Sequence, residues 1–150
     1  MNLWTIGFTG KSARRFFELL SQSGTQRIVD VRANNTSQLA AFAKRDDLAY
    51  FLGSLCNIDY IHLKELAPTV DLLSDYRKKR IDWQTYEARF LELMETREIE
   101  KSISKEIIDG SCLLCSEKEP HHCHRRLVAE YLQDRWGDLA ITHLGDEAPS

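Results

Sequence analysis

Short apolar runs that alternate with amphipathic helical patterns constrain the fold of this chain more than any other feature. Five apolar runs occupy residues 3–7, 27–32, 58–63, 111–116 and 139–144. Helical patterns are predicted over 12–23, 48–56, 71–80, 83–108 and 124–136, with Ser12 and Asp82 as N-caps and Gly24 as a stop. The alternation predicts a three-layer, Rossmann-like α/β fold, in which helices flank a mostly parallel sheet of about five strands.

The length of the chain limits it to one domain. A chain of 150 residues, of which 43% are hydrophobic, is long enough for a single sizeable core. The sequence contains no internal repeat and no linker. We therefore predict one domain over 1–150, with its core in about 2–144 and a loose tail at 145–150.

Charge and hydropathy narrow the class of protein. The net charge of −3 gives no global support for a dedicated nucleic-acid binder, although the basic run "RKKR" at 77–80 keeps a local basic surface open. No run approaches the roughly 18 apolar residues of a membrane helix, and the first residues do not have the pattern of a signal peptide. We therefore expect a cytoplasmic protein without membrane contact, whose four cysteines are reduced.

Polar or small residues follow the predicted strands. In open α/β sheets, ligands bind beyond the carboxyl ends of the strands. We therefore predict one crevice that brings together Thr9, Asp30, Arg32, His62, Glu65 and the loop from Cys115 to Arg125. Asp30 and Arg32 share one face of their strand, so we expect one of these charges to support the other.

The segment "LLCSEKEPHHCHRR" at 113–126 holds the densest chemistry and permits a metal site. Cys112 and Cys115 have zinc-ligand spacing with Cys123 and a histidine. Side chains three apart on a strand point to opposite faces, which argues against Cys112 and Cys115 binding the same ion. We assign no metal ligand and no cofactor, but a site made of Cys115, Cys123 and a histidine stays an alternative.

The same segment also permits an anion site with a reactive thiol. The predicted helix that begins at His124 offers free backbone N–H groups and its dipole to an anion, and Arg125 can add a bidentate contact. Cys123 lies beside that helix N-terminus, so we expect the pKa of its thiol to be lowered. Cys123 is thus the first candidate nucleophile and Cys115 the second, and the competing interpretation makes both buried structural residues.

Four blocks of the sequence carry a resemblance to a known family. "TIGF" at 5–8, "VDVR" at 29–32, "YIHLKEL" at 60–66 and "LLCSEKEPHHCHRRLVAEYL" at 113–132 occur in this order. Together they resemble the family of domains of unknown function numbered 488, over about residues 4–144. The chain departs from the family pattern at Phe8, where the family has histidine, and at Ala67, where it has glycine.

The resemblance implies a compact α/β fold and a set of site positions, without a settled reaction. It directs attention to Cys115, Glu117, Cys123, His124 and Arg125, and away from Cys112, His121 and His122. It also raises His62 as a general acid–base or substrate donor. The departure at Phe8 argues against a mechanism that needs a histidine in the first loop.

Three functions are consistent with these residues. The first is a small enzyme for a phosphate-bearing or otherwise anionic substrate, a nucleotide or nucleic-acid component, for which we predict catalytic residues Cys123, Cys115, Glu117, His62 and His124 and ligand-binding residues Thr9, Asp30, Arg32, Glu65 and Arg125. The second is a non-catalytic nucleotide- or nucleic-acid-binding module. The third is a Cys/His metal-binding protein. No prediction is made for the oligomeric state.

Overall fold

The computed structural model describes residues 1–34, 43–117 and 120–145. The predicted loose tail lies, from residue 146 onward, outside the described residues. None of the helices in the described ranges is long and apolar enough to cross a membrane.

The described residues form one sheet of five strands. The strands are β1 (Asn2–Gly7), β2 (Arg27–Asp30), β3 (Asp59–His62), β4 (Ser111–Cys115) and β5 (Ala140–Leu144). Their order is β3-β2-β4-β1-β5, and every neighbouring pair is parallel. The predicted α/β fold is confirmed, and the sheet is entirely parallel rather than mostly so. Strand β4 lies at its centre, and all five of its residues are buried.

Helices cover both faces of the sheet. Helix α1 (Ala13–Ser23), helix α2 (Arg45–Phe51) and the π-helix that continues it (Leu52–Cys56) pack on one face. The other face carries α3 (Val70–Arg77), α4 (Trp83–Thr96), α5 (Ile99–Ser102), α6 (Lys105–Ile108) and α7 (His124–Trp136). A short 3₁₀ turn at Lys64–Leu66 follows β3. The three predicted layers are therefore present.

Strand β4 shows how the sheet separates two cores. Cys112 and Leu114 pack among the residues of α1 and α2. Leu113 and Cys115 pack on the opposite face, among the residues of α4 and α7. This is the alternation that the strand period requires, and it confirms that Cys112 and Cys115 point to opposite faces. Burial raises the pKa of the Cys112 thiol, which is consistent with an inert core residue.

The predicted caps define the helix ends. The hydroxyl of Ser12 accepts the backbone N–H of Arg15, and Gly24 ends α1 in the left-handed conformation with φ 86°. The carboxylate of Asp82 accepts the N–H of Thr85 at 2.9 Å and begins α4. Both N-caps and the glycine stop therefore occur where the sequence predicted them.

Several predicted boundaries are wrong for local reasons. The helix predicted over 83–108 is three helices, because Glu98 adopts a left-handed φ of 51° and Ser104 caps a new turn. The strand predicted over 27–32 ends at Asp30, because the backbone N–H of Arg32 donates to the Asp30 carboxylate instead of the sheet. The helices predicted over 48–56 and 71–80 begin earlier, at Arg45 and Val70.

The carboxyl ends of β1, β2 and β4 meet at one edge of the sheet. The backbone N–H of Thr9, after β1, donates to the carbonyl of Ser116, after β4, at 3.1 Å. The backbone of Gly7 passes so close to the loop after β4 that a Cβ atom there would overlap the carbonyl oxygen of Glu117. The two loops are therefore packed backbone to backbone.

We predict that Gly7→Ala lowers the free energy of unfolding by about 1–3 kcal/mol or more, because an added methyl group meets backbone that cannot rotate away. Gly53→Ala is the matched control, since nothing lies within 4 Å of a Cβ built there. This control is expected to be neutral or stabilising by up to about 1 kcal/mol. Urea unfolding followed by circular dichroism measures both, and equal stability of the two variants would contradict the prediction.

Candidate functional site

A cavity of about 520 Å³ opens where the loops after β1, β2 and β4 meet helices α3, α4 and α7. Its position is the one expected for a ligand site in an open α/β sheet. Six of the ten predicted site residues line it: Thr9, Arg32, Cys115, Glu117, Cys123 and His124. A cavity therefore lies at the strand ends where the crevice was predicted, and it contains six of the ten predicted residues.

Cys115 and His124 form a hydrogen-bonded pair at this cavity. Cys115 is the last residue of β4, and His124 is the first of α7. The Nε2–H of His124 donates to the carbonyl of Val31 at 2.6 Å, which leaves Nδ1 to accept from the Cys115 thiol at 3.5 Å. Both side chains are buried, with exposed fractions of 3% and 5%. The Val31 carbonyl thereby orients the ring that faces the thiol.

The environment of Cys115 favours its thiolate. Burial by itself raises the pKa of this thiol, but the S–H of Cys123, the charge of Arg125 and the backbone N–H groups of Glu117 and Ser116 outweigh burial. The net result is a lowered pKa. Donors directed at a sulfur atom in a poorly solvated site stabilise the charged form.

Cys123 differs from the expectation. Burial, the hydrogen bond to Cys115 and the negative charge of that sulfur raise the pKa of the Cys123 thiol well above its ordinary value. The expected lowering at the helix N-terminus is therefore wrong for Cys123. It caps α7 without a side-chain bond to the helix backbone. Within this pair, Cys123 is the protonated donor and Cys115 the acceptor.

These residues also form a set of potential metal ligands. The Sγ atoms of Cys115 and Cys123 and a ring nitrogen of His124 lie within 4.8 Å of one another, and all three residues are buried. Two thiolates and an imidazole are a known ligand set for zinc. The bond from Nε2 to the Val31 carbonyl is the outer-shell contact that metal-bound histidines commonly make.

Arg32 is held by a buried ion pair. Its Nε and Nη2 donate to the two carboxylate oxygens of Asp30 at 2.9 and 2.8 Å, and Tyr60 donates to the same carboxylate at 2.5 Å. Asp30 thus supports Arg32, as the sequence predicted. Asp30 is fully buried and lies outside the cavity lining, so the structure places it behind Arg32 rather than on a ligand.

One atom of Arg32 lacks a hydrogen-bond acceptor among the described residues. Arg32 lines the cavity with an exposed fraction of 3%, and its guanidinium carbon lies 5.4 Å from the centre of the Phe8 ring. Within the described part of the chain, its Nη1 is buried without a partner. A buried guanidinium N–H without an acceptor is costly, so this atom indicates a position where an acceptor on a ligand would be stabilising.

Arg125 lies outside the cavity lining. It is fully buried, and its Nε donates to the Thr5 hydroxyl at 3.2 Å while its Nη1 donates to the carbonyl of Glu117. The Arg125 guanidinium therefore bonds to the protein itself, rather than forming the predicted bidentate contact with a ligand. It joins α7, β1 and the loop after β4.

Two further predicted residues lie away from the cavity lining. The Nε2 of His62 bonds to the carbonyl of Arg32 at 2.8 Å, so His62 contacts the backbone of a lining residue. Glu65 is exposed on the 3₁₀ turn, where its carbonyl accepts from Arg97 at 2.7 Å. The structure does not bring Glu65 to the cavity.

The cavity lining also includes aromatic residues that the sequence did not predict as site residues. Tyr76, Tyr86 and His122 contribute to the lining. Trp83 stacks on His122 with ring centres 4.7 Å apart and on Tyr86 with ring centres 5.2 Å apart. The family resemblance directed attention away from His122. Trp83 and Tyr86 are three residues apart on α4, which was a signal that they share one face, whereas Tyr76 lies on α3 and had no such signal.

The residues of the basic run at 77–80 have different surroundings. Arg77 lines the cavity, whereas Arg80 pairs with Asp75 at 3.1 Å. Another basic pair, Arg14 and Arg15, lies on α1 and therefore on the opposite face of the sheet. A single basic face formed from all of these residues does not occur.

The model of the family described as "Domain of unknown function DUF488" matches residues 12–132, which is most of the chain. The resemblance proposed from the sequence is confirmed. The range includes β2, β3, β4 and most of α7, whereas "TIGF" at 5–8 precedes it. Searches among curated proteins and among solved structures returned no significant match.

We predict that Asp30→Asn lowers the free energy of unfolding by about 3–5 kcal/mol, because it leaves the buried charge of Arg32 uncompensated. Tyr60→Phe is the matched control, since it removes one hydrogen bond to the same carboxylate and is expected to cost about 1 kcal/mol. Chemical unfolding at neutral pH measures both. Equal losses for the two variants would show that the ion pair does not stabilise the fold.

Proposed function

We propose that this chain, which belongs to the DUF488 family, is a thiol-dependent enzyme that uses Cys115 as its nucleophile on an anionic substrate. One observation carries the proposal. The Cys115 sulfur lies 3.5 Å from Nδ1 of a histidine whose other nitrogen is held by a backbone carbonyl, and both residues line one cavity. A nucleophile, a base and a group that orients the base are the parts of an activated cysteine.

The first step is proton transfer within the pair. His124 takes the proton of Cys115 on Nδ1, which forms a thiolate and an imidazolium. The Val31 carbonyl continues to accept from Nε2–H and stabilises the positive ring. The S–H of Cys123 and the backbone N–H groups of Ser116 and Glu117 stabilise the negative sulfur. Cys123 is therefore a positioning residue and a donor, and not the nucleophile.

The second step is substitution. The thiolate forms a bond to an electrophilic centre of the substrate while the bond from that centre to the leaving group breaks. The imidazolium of His124 gives its proton to the leaving group. Water then attacks the same centre, the bond to sulfur breaks, and the thiol is regenerated. Protons and electrons balance without a cofactor.

The preference for an anion rests on Arg32. Its buried Nη1 has no acceptor among the described residues, and an oxygen of phosphate or carboxylate would supply one. The cavity is also lined by Arg77 and by His124, the first residue of α7, a helix of 13 residues whose dipole favours negative charge at that end. These groups support binding of a phosphate-bearing or similar anionic substrate.

We predict that iodoacetamide labels Cys115 at least about tenfold faster than Cys56 at pH 7. A thiol with a lowered pKa has a larger thiolate fraction at this pH, and the thiolate is the form that reacts. Cys56 is the internal reference, since it is more exposed than Cys115. Peptide mass mapping measures both rates in one sample. Cys123→Ala is expected to shift the pH midpoint of Cys115 labelling upward, whereas Cys112→Ala, on the other face of the sheet, is expected to leave it unchanged.

Cys115 labelling no faster than that of Cys56 across pH 6–9 would reject the nucleophile. A midpoint that does not respond to Cys123→Ala would reject the donor role of Cys123.

A second candidate function is zinc binding, and it rests on the three donor atoms within 4.8 Å. If it holds, protein purified without a histidine tag contains one zinc per chain by mass spectrometry. Cys123→Ser lowers that content, because it removes a thiolate ligand. Cys112→Ser is the matched control and leaves the content unchanged, because Cys112 faces the other core. Metal-free protein in which Cys115 labels rapidly would reject this candidate.

A further inference from the structure

We infer that the cavity binds a nucleotide, whose base stacks on an aromatic wall formed by Tyr76 and His122. Tyr86 supports this wall from within the core, since it is only 2% exposed and already stacks on Trp83 and Phe90. The inference rests on the proposed function only for the phosphate, which Arg32 would bind. The base-binding part rests on separate observations, namely the arrangement of rings and the position of Glu117 at the cavity.

The aromatic wall is ordered from behind by Trp83. The Trp83 ring stacks on His122 with an interplanar angle of 21° and on Tyr86 with an angle of 26°. Tyr76 lies against Tyr86, with ring centres 4.9 Å apart. Tyr76 and His122 are thus held in fixed orientations by Tyr86 and Trp83, so a flat ligand ring would meet a surface that needs little ordering on binding.

Core packing does not explain His122. Its side chain is exposed, yet its ring is held flat on Trp83 and lines the cavity. An exposed imidazole contributes little to the core. A flat ring that is held at a cavity is, in contrast, what stacking recognition of a nucleobase uses, and such stacking contributes about 1–3 kcal/mol per base.

The charges around the cavity favour a ligand with both an anionic group and N–H donors. Arg32 and Arg77 supply positive charge, whereas the exposed carboxylate of Glu117 supplies negative charge. Glu117 and Tyr76 line the same cavity, and burial together with the Glu117 carboxylate raises the pKa of Tyr76. A simple polyanion would be repelled by Glu117. A nucleotide offers phosphate oxygens to the arginines and ring or amino N–H groups to the carboxylate.

The loop after β1 completes the phosphate side. Phe8 lines the cavity with an exposed fraction of 4%, and the Arg32 guanidinium lies over its ring. Asp30 fixes the other edge of that guanidinium through two hydrogen bonds. The unpartnered Nη1 is therefore rigidly placed, as a phosphate-binding group must be.

Titration calorimetry of the full chain with AMP, ribose 5-phosphate and inorganic phosphate tests the inference. AMP is expected to bind about tenfold more tightly than ribose 5-phosphate, which lacks only the base. His122→Ala is expected to remove most of that difference without changing ribose 5-phosphate binding. His122→Phe keeps a flat ring and is expected to retain the difference.

His121→Ala is the matched control. His121 is the exposed neighbour of His122, lies outside the cavity lining, and is expected to change neither affinity when replaced. Equal affinity for AMP and ribose 5-phosphate, or equal effects of His121→Ala and His122→Ala, would overturn the inference. Rapid labelling of Cys115 in the same preparation would then show that the proposed nucleophile stands while the base site fails. Slow labelling together with preferential AMP binding would show the reverse.

Discussion

The candidate site depends on the hydrogen bonds of the buried Arg125 guanidinium. This side chain leaves the first turn of α7 and reaches the Thr5 hydroxyl on β1 and the Glu117 carbonyl in the loop after β4. Thr5 in turn contacts the Nδ1 of His143 on β5 at 2.6 Å. Gly7 leaves the space through which the guanidinium and the loop approach each other. A buried charge costs several kcal/mol unless it is well partnered, so these partners have to be present together.

The charge of Arg125 acts on two neighbouring thiols whose pKa values shift in opposite directions. Arg125 acts on both Cys115 and Cys123 in the direction of a lower pKa. The outcomes differ because the backbone N–H groups of Ser116 and Glu117 act on Cys115, whereas Cys123 faces the negative sulfur of Cys115. By bonding to the Glu117 carbonyl, Arg125 also holds the loop that carries those N–H groups. It therefore favours the Cys115 thiolate through its charge and through loop position, without lining the cavity.

The fold could be predicted from the sequence because its signals are local. The apolar runs and the caps Ser12 and Asp82 depend on neighbours in the chain, and so does the Asp30–Arg32 pair on one strand face. The lowered pKa expected for Cys123 is wrong because a thiol pKa depends on which sulfur receives the N–H groups, and that is a property of the folded loop. His122 was set aside because its orientation is determined by Trp83, 39 positions earlier in the chain.

Phe8, where the chain departs from the family pattern, packs against Arg32. The family pattern places histidine in the first loop, where a ring nitrogen would be available at the cavity, but this chain has a phenyl ring that packs under Arg32. The first loop thus contributes shape and a cation–π contact rather than proton transfer. His124, which enters from α7 and is oriented by the Val31 carbonyl, supplies an imidazole next to Cys115 instead. If the proposed reaction holds, its proton transfer depends on the second half of the chain, while Phe8 in the first loop packs against Arg32.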